Sequence, residues 1–161
     1  MTATLQRKLP LADATLCPVL TISGVRSELP GHDEDDVLAL IEEGALEFAW
    51  NIALRVGDGI RREPIVLKKC VAHYLASGGA RPLNWTDARA FKEFFNGDEK
   101  PFIYGTTLKL LWNCSGTHII ALIEARELKV QPGTTWDRGP GNSPVITRAS
   151  VEGFLKRRRM I

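Results

Sequence analysis

Hydrophobic positions along this chain alternate between helical stripes and short apolar strands, punctuated by Gly, Pro and Asn turns. In the C-terminal half, Pro101-Phe102-Ile103-Tyr104 reads as a short strand or lead-in. A helix follows over 107–112, with Leu108, Leu111 and Trp112 on one face and Thr106 in the cap position. Asn113-Cys114-Ser115-Gly116 is a turn. Ser115 then caps a helix over 117–125 whose apolar face is Ile119, Ile120 and Ile123. Leu128-Lys129-Val130 begins a strand, 131–143 is a loop holding Gly and Pro, and Pro144-Val145-Ile146 returns. Thr147 caps a last helix carrying Val151, Phe154 and Leu155.

The N-terminal half follows the same order. Val19-Leu20 leads into a short helix over 21–29, and Pro30-Gly31-His32 turns the chain. Asp33 caps a helix that runs to about Glu43 and stops at Gly44. Strands over 45–53 and 63–66 flank a loop holding Arg55, Gly57, Gly59, Arg61 and Arg62, and a helix over 67–76 closes the unit. The likeness extends to residues. Ala-Leu-Ile-Glu stands at 39–42 and again 82 residues on, at 121–124. Pro64-Ile65-Val66 reads against Pro144-Val145-Ile146, 80 residues on. Two blocks matching in one order predict a duplicated module, and two copies with unlike flanks predict tandem modules instead of a solenoid. The expected division is an N-terminal extension at 1–17, module one at 18–76, a linker with its own short helix at 77–100 and module two at 101–161. The linker helix, over 86–95, offers Phe91, Phe94 and Phe95 to a neighbour.

Composition narrows the class. Apolar residues make up 44% and charged residues 25%, a balance that disfavours disorder and collagen. Three cysteines cannot all pair, so a reducing, cytoplasmic setting is expected. Pro10 and Asp13 interrupt the N-terminus, which reads as no signal peptide, and no apolar run is long enough to predict a membrane span. Charge is uneven. Residues 1–80 hold eight Lys/Arg against eleven Asp/Glu, a net −3, whereas 81–161 hold thirteen against eight, a net +5. The basic end is concentrated at Lys156, Arg157, Arg158 and Arg159. Such asymmetry is one cue for an acidic or nucleic-acid partner.

Three blocks carry a family resemblance: Thr106-Thr107-Leu108-Lys109-Leu110-Leu111, Cys114-Ser115-Gly116-Thr117-His118-Ile119-Ile120-Ala121-Leu122-Ile123-Glu124, and Pro144-Val145-Ile146-Thr147-Arg148-Ala149-Ser150-Val151-Glu152-Gly153-Phe154-Leu155. Together they resemble the excisionase-type, MerR-like winged helix DNA-binding domain, closely over 100–161 and more loosely over 18–76. The resemblance implies a mainly α fold with small β-wings, present as tandem winged helix-turn-helix modules. It also implies work in transcription regulation or in steering site-specific recombination.

The candidate contacts follow from charge and placement. In module two they are Thr117, His118, Lys129, Arg138, Arg148 and the run Lys156, Arg157, Arg158 and Arg159; in the wing of module one they are Arg55, Arg61 and Arg62. The start of the 117–125 helix offers Thr117, His118, Ala121 and Glu124, a thin set for reading base edges. Phosphate contacts should therefore dominate. Arg148 lies in the first turn of a helix, where a cation opposes the dipole, and this favours an outside anion. Against these stand plainer roles: Ser115 as a cap only, lone Lys and Arg as solvated surface, the basic run as a solvated tail, and Trp136 as core packing. Asp33, Glu34, Asp35 and Asp36 favour a helix start and disfavour a DNA groove, so module one is expected to use its wing or to meet a protein, such as another copy of itself.

Cys70-x-x-His73 and Cys114-x-x-x-His118 lack the four tightly spaced ligands of a zinc site, so no metal is expected. No phosphate-binding glycine loop or hydrolase elbow is present, so neither catalysis nor a cofactor is expected. The expected partner is duplex DNA. The rival reading is a protein-interaction module that keeps the winged fold without DNA.

Overall fold

A computed structural model describes residues 17–57, 59–79, 83–133 and 143–160. The first half runs β1 (Val19–Thr21), α1 (Ile22–Glu28), α2 (Glu34–Glu42), β2 (Ala49–Asn51), β3 (Pro64–Leu67) and α3 (Lys68–Ala76). Helix α4 (Asp87–Phe94) follows. The second half runs β4 (Phe102–Tyr104), α5 (Gly105–Leu111), α6 (Gly116–Glu124), β5 (Val145–Thr147) and α7 (Arg148–Arg158). Among the described residues there are thus seven helices and two small antiparallel sheets, one ordered β1-β3-β2 and one pairing β4 with β5.

The two halves share a hydrogen-bond frame. At the end of α2 the amides of Ala45 and Leu46 both turn back to the carbonyl of Leu40; after α6 the amides of Glu127 and Leu128 turn back to Leu122, each 82 residues on. Gly44 takes the left-handed conformation there with φ +83°, and Arg126 takes it at the matching place with φ +64°. The free first amide of α3, on Lys68, reaches the carbonyl of Pro18 at 2.8 Å; that of α7, on Arg148, reaches Pro101 at 2.9 Å. Each closing helix is thereby tied to the residue before its half's first strand.

Local chemistry explains most boundaries. Asp33, Ser115 and Thr147 accept from the backbone amides of Asp36, His118 and Ser150, as expected for caps. Two expectations are corrected. Thr106 does not cap α5. The strand β4 runs straight into the helix, which begins at Gly105, where an added Cβ would stand 2.8 Å from Pro144. The strand expected over 45–53 shrinks to Ala49–Asn51, because Ala45 and Leu46 spend their amides closing α2. In the second half the matching strand is a single bridge, Val130 to Ile146.

One hydrophobic core runs through both halves. Its spine is a row of rings. Trp50 of β2 meets Phe94 of α4 at 5.9 Å, Phe94 meets Trp112 after α5 at 6.4 Å, and Trp112 stacks on Phe154 of α7 at 5.3 Å. The segment read as a linker therefore supplies the ring that joins the halves. The end of the chain adds a second joint: Trp50 bridges to Arg159 and the amide of Met160 donates to Ala49, which covers the open edge of β2. No helix among the described residues is long and apolar enough to cross a membrane.

Candidate nucleic-acid interface

The start of α6 is set by the Ser115 cap, whose hydroxyl accepts from the His118 amide at 3.1 Å. Thr117 is exposed in the first turn. The His118 ring turns towards the first half, where its Nε2–H donates to the carbonyl of Ile52. A carbonyl can only accept, so Nε2 carries a proton in this bond. Between the halves lies a cleft of about 590 Å³ whose lining includes Glu34 of α2, Arg61 and Arg62 of the β2–β3 loop, and Ser115 and His118.

The loop between β2 and β3, expected to be a wing, is held at its base by Asn51. Its side-chain oxygen accepts from the amides of Ala53 at 3.1 Å and Glu63 at 2.9 Å, closing the loop between β2 and β3. Sequence reasoning missed Asn51, since a lone Asn in a strand carries no distinctive signal. Arg55, Arg61 and Arg62 are exposed on this loop. Arg62 meets Glu42 at 3.4 Å, while Arg55 and Arg61 have no ion-pair partner among the described residues. Val56 and Ile60 stand exposed between them.

The run at the end of α7 is solvated only in part: Arg158 and Arg159 fold against the first half, whereas Lys156 and Arg157 stay exposed. Arg158 is buried: it donates to the carbonyls of Asn51 and Ala53 in the first half, pairs with Glu127 at 3.4 Å, and lies 4.6 Å over the ring of Phe154. It has no face left for an outside phosphate. Arg159 pairs with Asp87 at 3.0 Å and lies over Phe48 at 4.3 Å. Arg157 meets Glu127 at 3.2 Å but stays more than half exposed. Lys156 is exposed, its amine 5.9 Å above Phe91.

Arg148 has inside partners where an outside anion was expected. Its guanidinium meets Glu152 at 2.9 Å, lies 4.1 Å over Phe95, and donates to the carbonyl of Asp98. The i,i+4 carboxylate and the ring offset the unfavourable dipole position. Lys129 is exposed, and its amide donates to Ser150. Arg138 and Trp136 lie outside the described residues. On α2, Asp33 and Asp36 satisfy each other's amides in a capping box, which gives two of the four acids a structural role.

The cysteines are set for packing. Burial pushes the Cys70 thiol up to about 11 and the Cys114 thiol up to about 12, with the negative charge of Glu63 adding to the latter. Among the described residues no three His, Cys, Asp or Glu side chains cluster as metal ligands would.

Arg62 links these features. It lines both the cleft at the start of α6 and a smaller depression where Arg157, Arg158 and Arg159 meet. Comparison with family models, with characterised proteins and with solved structures returns no match.

Proposed function

We propose that the protein is a non-catalytic duplex-DNA-binding protein, a small transcription regulator or an accessory factor of site-specific recombination. In this reading its halves are two winged helix-turn-helix modules packed as one body, and it needs no cofactor. The observation that carries the reading is the position of Arg62, shared between the cleft at the start of α6 and the arginine-lined depression at the end of α7. In this reading the DNA-contacting face comprises the exposed Arg55, Arg61, Arg62 and Arg157, with Thr117 at the α6 N-terminus, and meets the phosphate backbone. Lys129 and Lys156 are further exposed cations of the second half. The face has few groups for base edges, so binding is weakly sequence-selective. Fluorescence anisotropy with a labelled mixed-sequence duplex at about 50 mM salt tests it, since non-specific binding is strongest at low salt. Saturable binding supports the reading, and a flat titration refutes it.

A second reading, an assembly module without DNA, draws on one observation: His118 faces the first half instead of the solvent side of α6. Concentration-dependent sedimentation with no duplex binding would favour it.

A further inference from the structure

Resting on the DNA reading, we infer that the depression between the first wing and the end of α7 is a composite phosphate seat, in which Arg62 of one half and Arg157 of the other hold the same backbone phosphate. The depression has a volume of about 210 Å³ and is lined by Arg62, Arg157, Arg158 and Arg159 with Asn51 and Val56. That is room for a phosphate group and some water, a water's share being about 30 Å³.

The four guanidiniums divide into two kinds. Both terminal nitrogens of Arg158 and all three nitrogens of Arg159 already donate to carbonyls or carboxylates of the protein, and Arg158 is buried, so they act as fixed positive charge. Arg62 and Arg157 are different. A guanidinium has five N–H donors in a planar fork. Arg62 uses one nitrogen, towards Glu42, and Arg157 one, towards Glu127. Their side chains are 45% and 56% exposed. Both therefore present free forks of the kind that matches phosphate oxygens. Exposed pairs such as Arg62–Glu42 contribute little, so exchanging that carboxylate for a phosphate costs little.

Charge favours an anion as well. Four cations line the depression, and three carboxylates pair with them: Glu42, Glu127 and Asp87. Arg55 and Arg61 add unpaired charge on the same loop. Because Asn51 closes the base of the β2–β3 loop and Arg158 ties that base to α7, the segments that carry the two forks are held relative to one another before any ligand arrives. Neither half alone builds the seat.

The test is a double-mutant cycle on the full chain with a labelled mixed-sequence duplex, using Arg62→Gln, Arg157→Gln and the pair. Each single change should weaken binding about tenfold, as for a charged hydrogen-bonding partner. Because both act on one phosphate, the pair should cost well under the product of the two losses, and the salt slope should fall by about one. Lys92→Gln, at an exposed residue of α4 that does not line the depression, should leave affinity unchanged. Equal urea midpoints for all variants show that folding is intact. Losses that multiply, with a slope fall of about two, place the arginines on separate phosphates and overturn the inference while leaving the DNA reading standing. Unchanged affinity in both singles does the same. Failure of the unaltered chain to bind the duplex refutes the DNA reading and the seat with it.

Discussion

The guanidinium of Arg158, in the last turn of α7, donates to the main-chain carbonyl of Asn51 at 3.2 Å, across 107 residues of sequence. The same group reaches the carbonyl of Ala53 and pairs with Glu127. A cation this buried is tolerable because its charge is paired and both terminal nitrogens are hydrogen-bonded. Removing it as Arg158→Met leaves Glu127 without that partner and the three carbonyls of Asn51, Ala53 and Leu54 without a donor. The expected loss is about 3–5 kcal/mol in urea denaturation. Arg158→Lys should recover little, because an ammonium cannot reproduce the planar fork. A variant as stable as the parent would show that the halves are joined elsewhere.

The matching hydrogen bonds after α2 and α6 make opposite predictions at one structural position. Gly44 and Arg126 both sit at positive φ. A Cβ at Gly44 meets nothing within 4 Å, so Gly44→Ala is penalised by its backbone conformation alone, by about 1–2 kcal/mol. Arg126→Gly should relieve that strain and stabilise by up to about 1 kcal/mol. Thermal midpoints read both. Equal signs for the two changes would contradict the equivalence of the halves.

Burial also gives the protein an alkaline liability. The folded state holds the protons of Cys70 and Cys114 to about 11 and about 12, above the ordinary thiol value of about 8.5. Below that ordinary value both folded and unfolded chains are protonated and the contribution is complete. As pH rises above it, the unfolded chain releases its protons first and stability falls. Urea midpoints at pH 8 and pH 10 should show this decline, and Cys70→Ala with Cys114→Ala should flatten part of it. An unaltered slope in the double variant would show that other groups drive the decline.

The acids of α2 should matter unequally. Asp33 closes a capping box with Asp36, so Asp33→Ala should cost about 1 kcal/mol of stability. Glu34 lies on the rim of the cleft with Arg61 and Arg62. Glu34→Gln should raise duplex affinity a few-fold at low salt, by relieving repulsion of phosphates. Weaker binding in this variant would place α2 away from the DNA.

Element order was readable because the signals are local. Apolar stripes and cap residues such as Asp33, Ser115 and Thr147 act within one turn of helix. What stayed hidden depends on distance. A run of Lys and Arg looks the same whether it is solvated or folded back, and the partners of Arg158 lie up to 107 residues away. Nor could spacing reveal that Phe94 would stand between Trp50 and Trp112, since each ring alone reads only as core. The basic face was half legible. Arg55, Arg61 and Arg62 stand exposed on the loop between β2 and β3, whereas the inward turn of Arg148 onto Phe95 and Glu152 left no trace in sequence. Thr106 misled because a threonine before a helix usually caps it, and here β4 enters the helix with no gap.

The central claim is that this basic face binds the DNA backbone. The most direct measurement is the affinity of the full chain for a mixed-sequence duplex, followed by anisotropy from about 50 to 200 mM salt, a span over which phosphate contacts lose most of their effect. The account predicts a straight plot of log K against log salt with a slope of about −3.6 to −5.4, from roughly four to six phosphates at about −0.9 each. Binding whose slope is near zero, or no binding at about 50 mM salt, would contradict it.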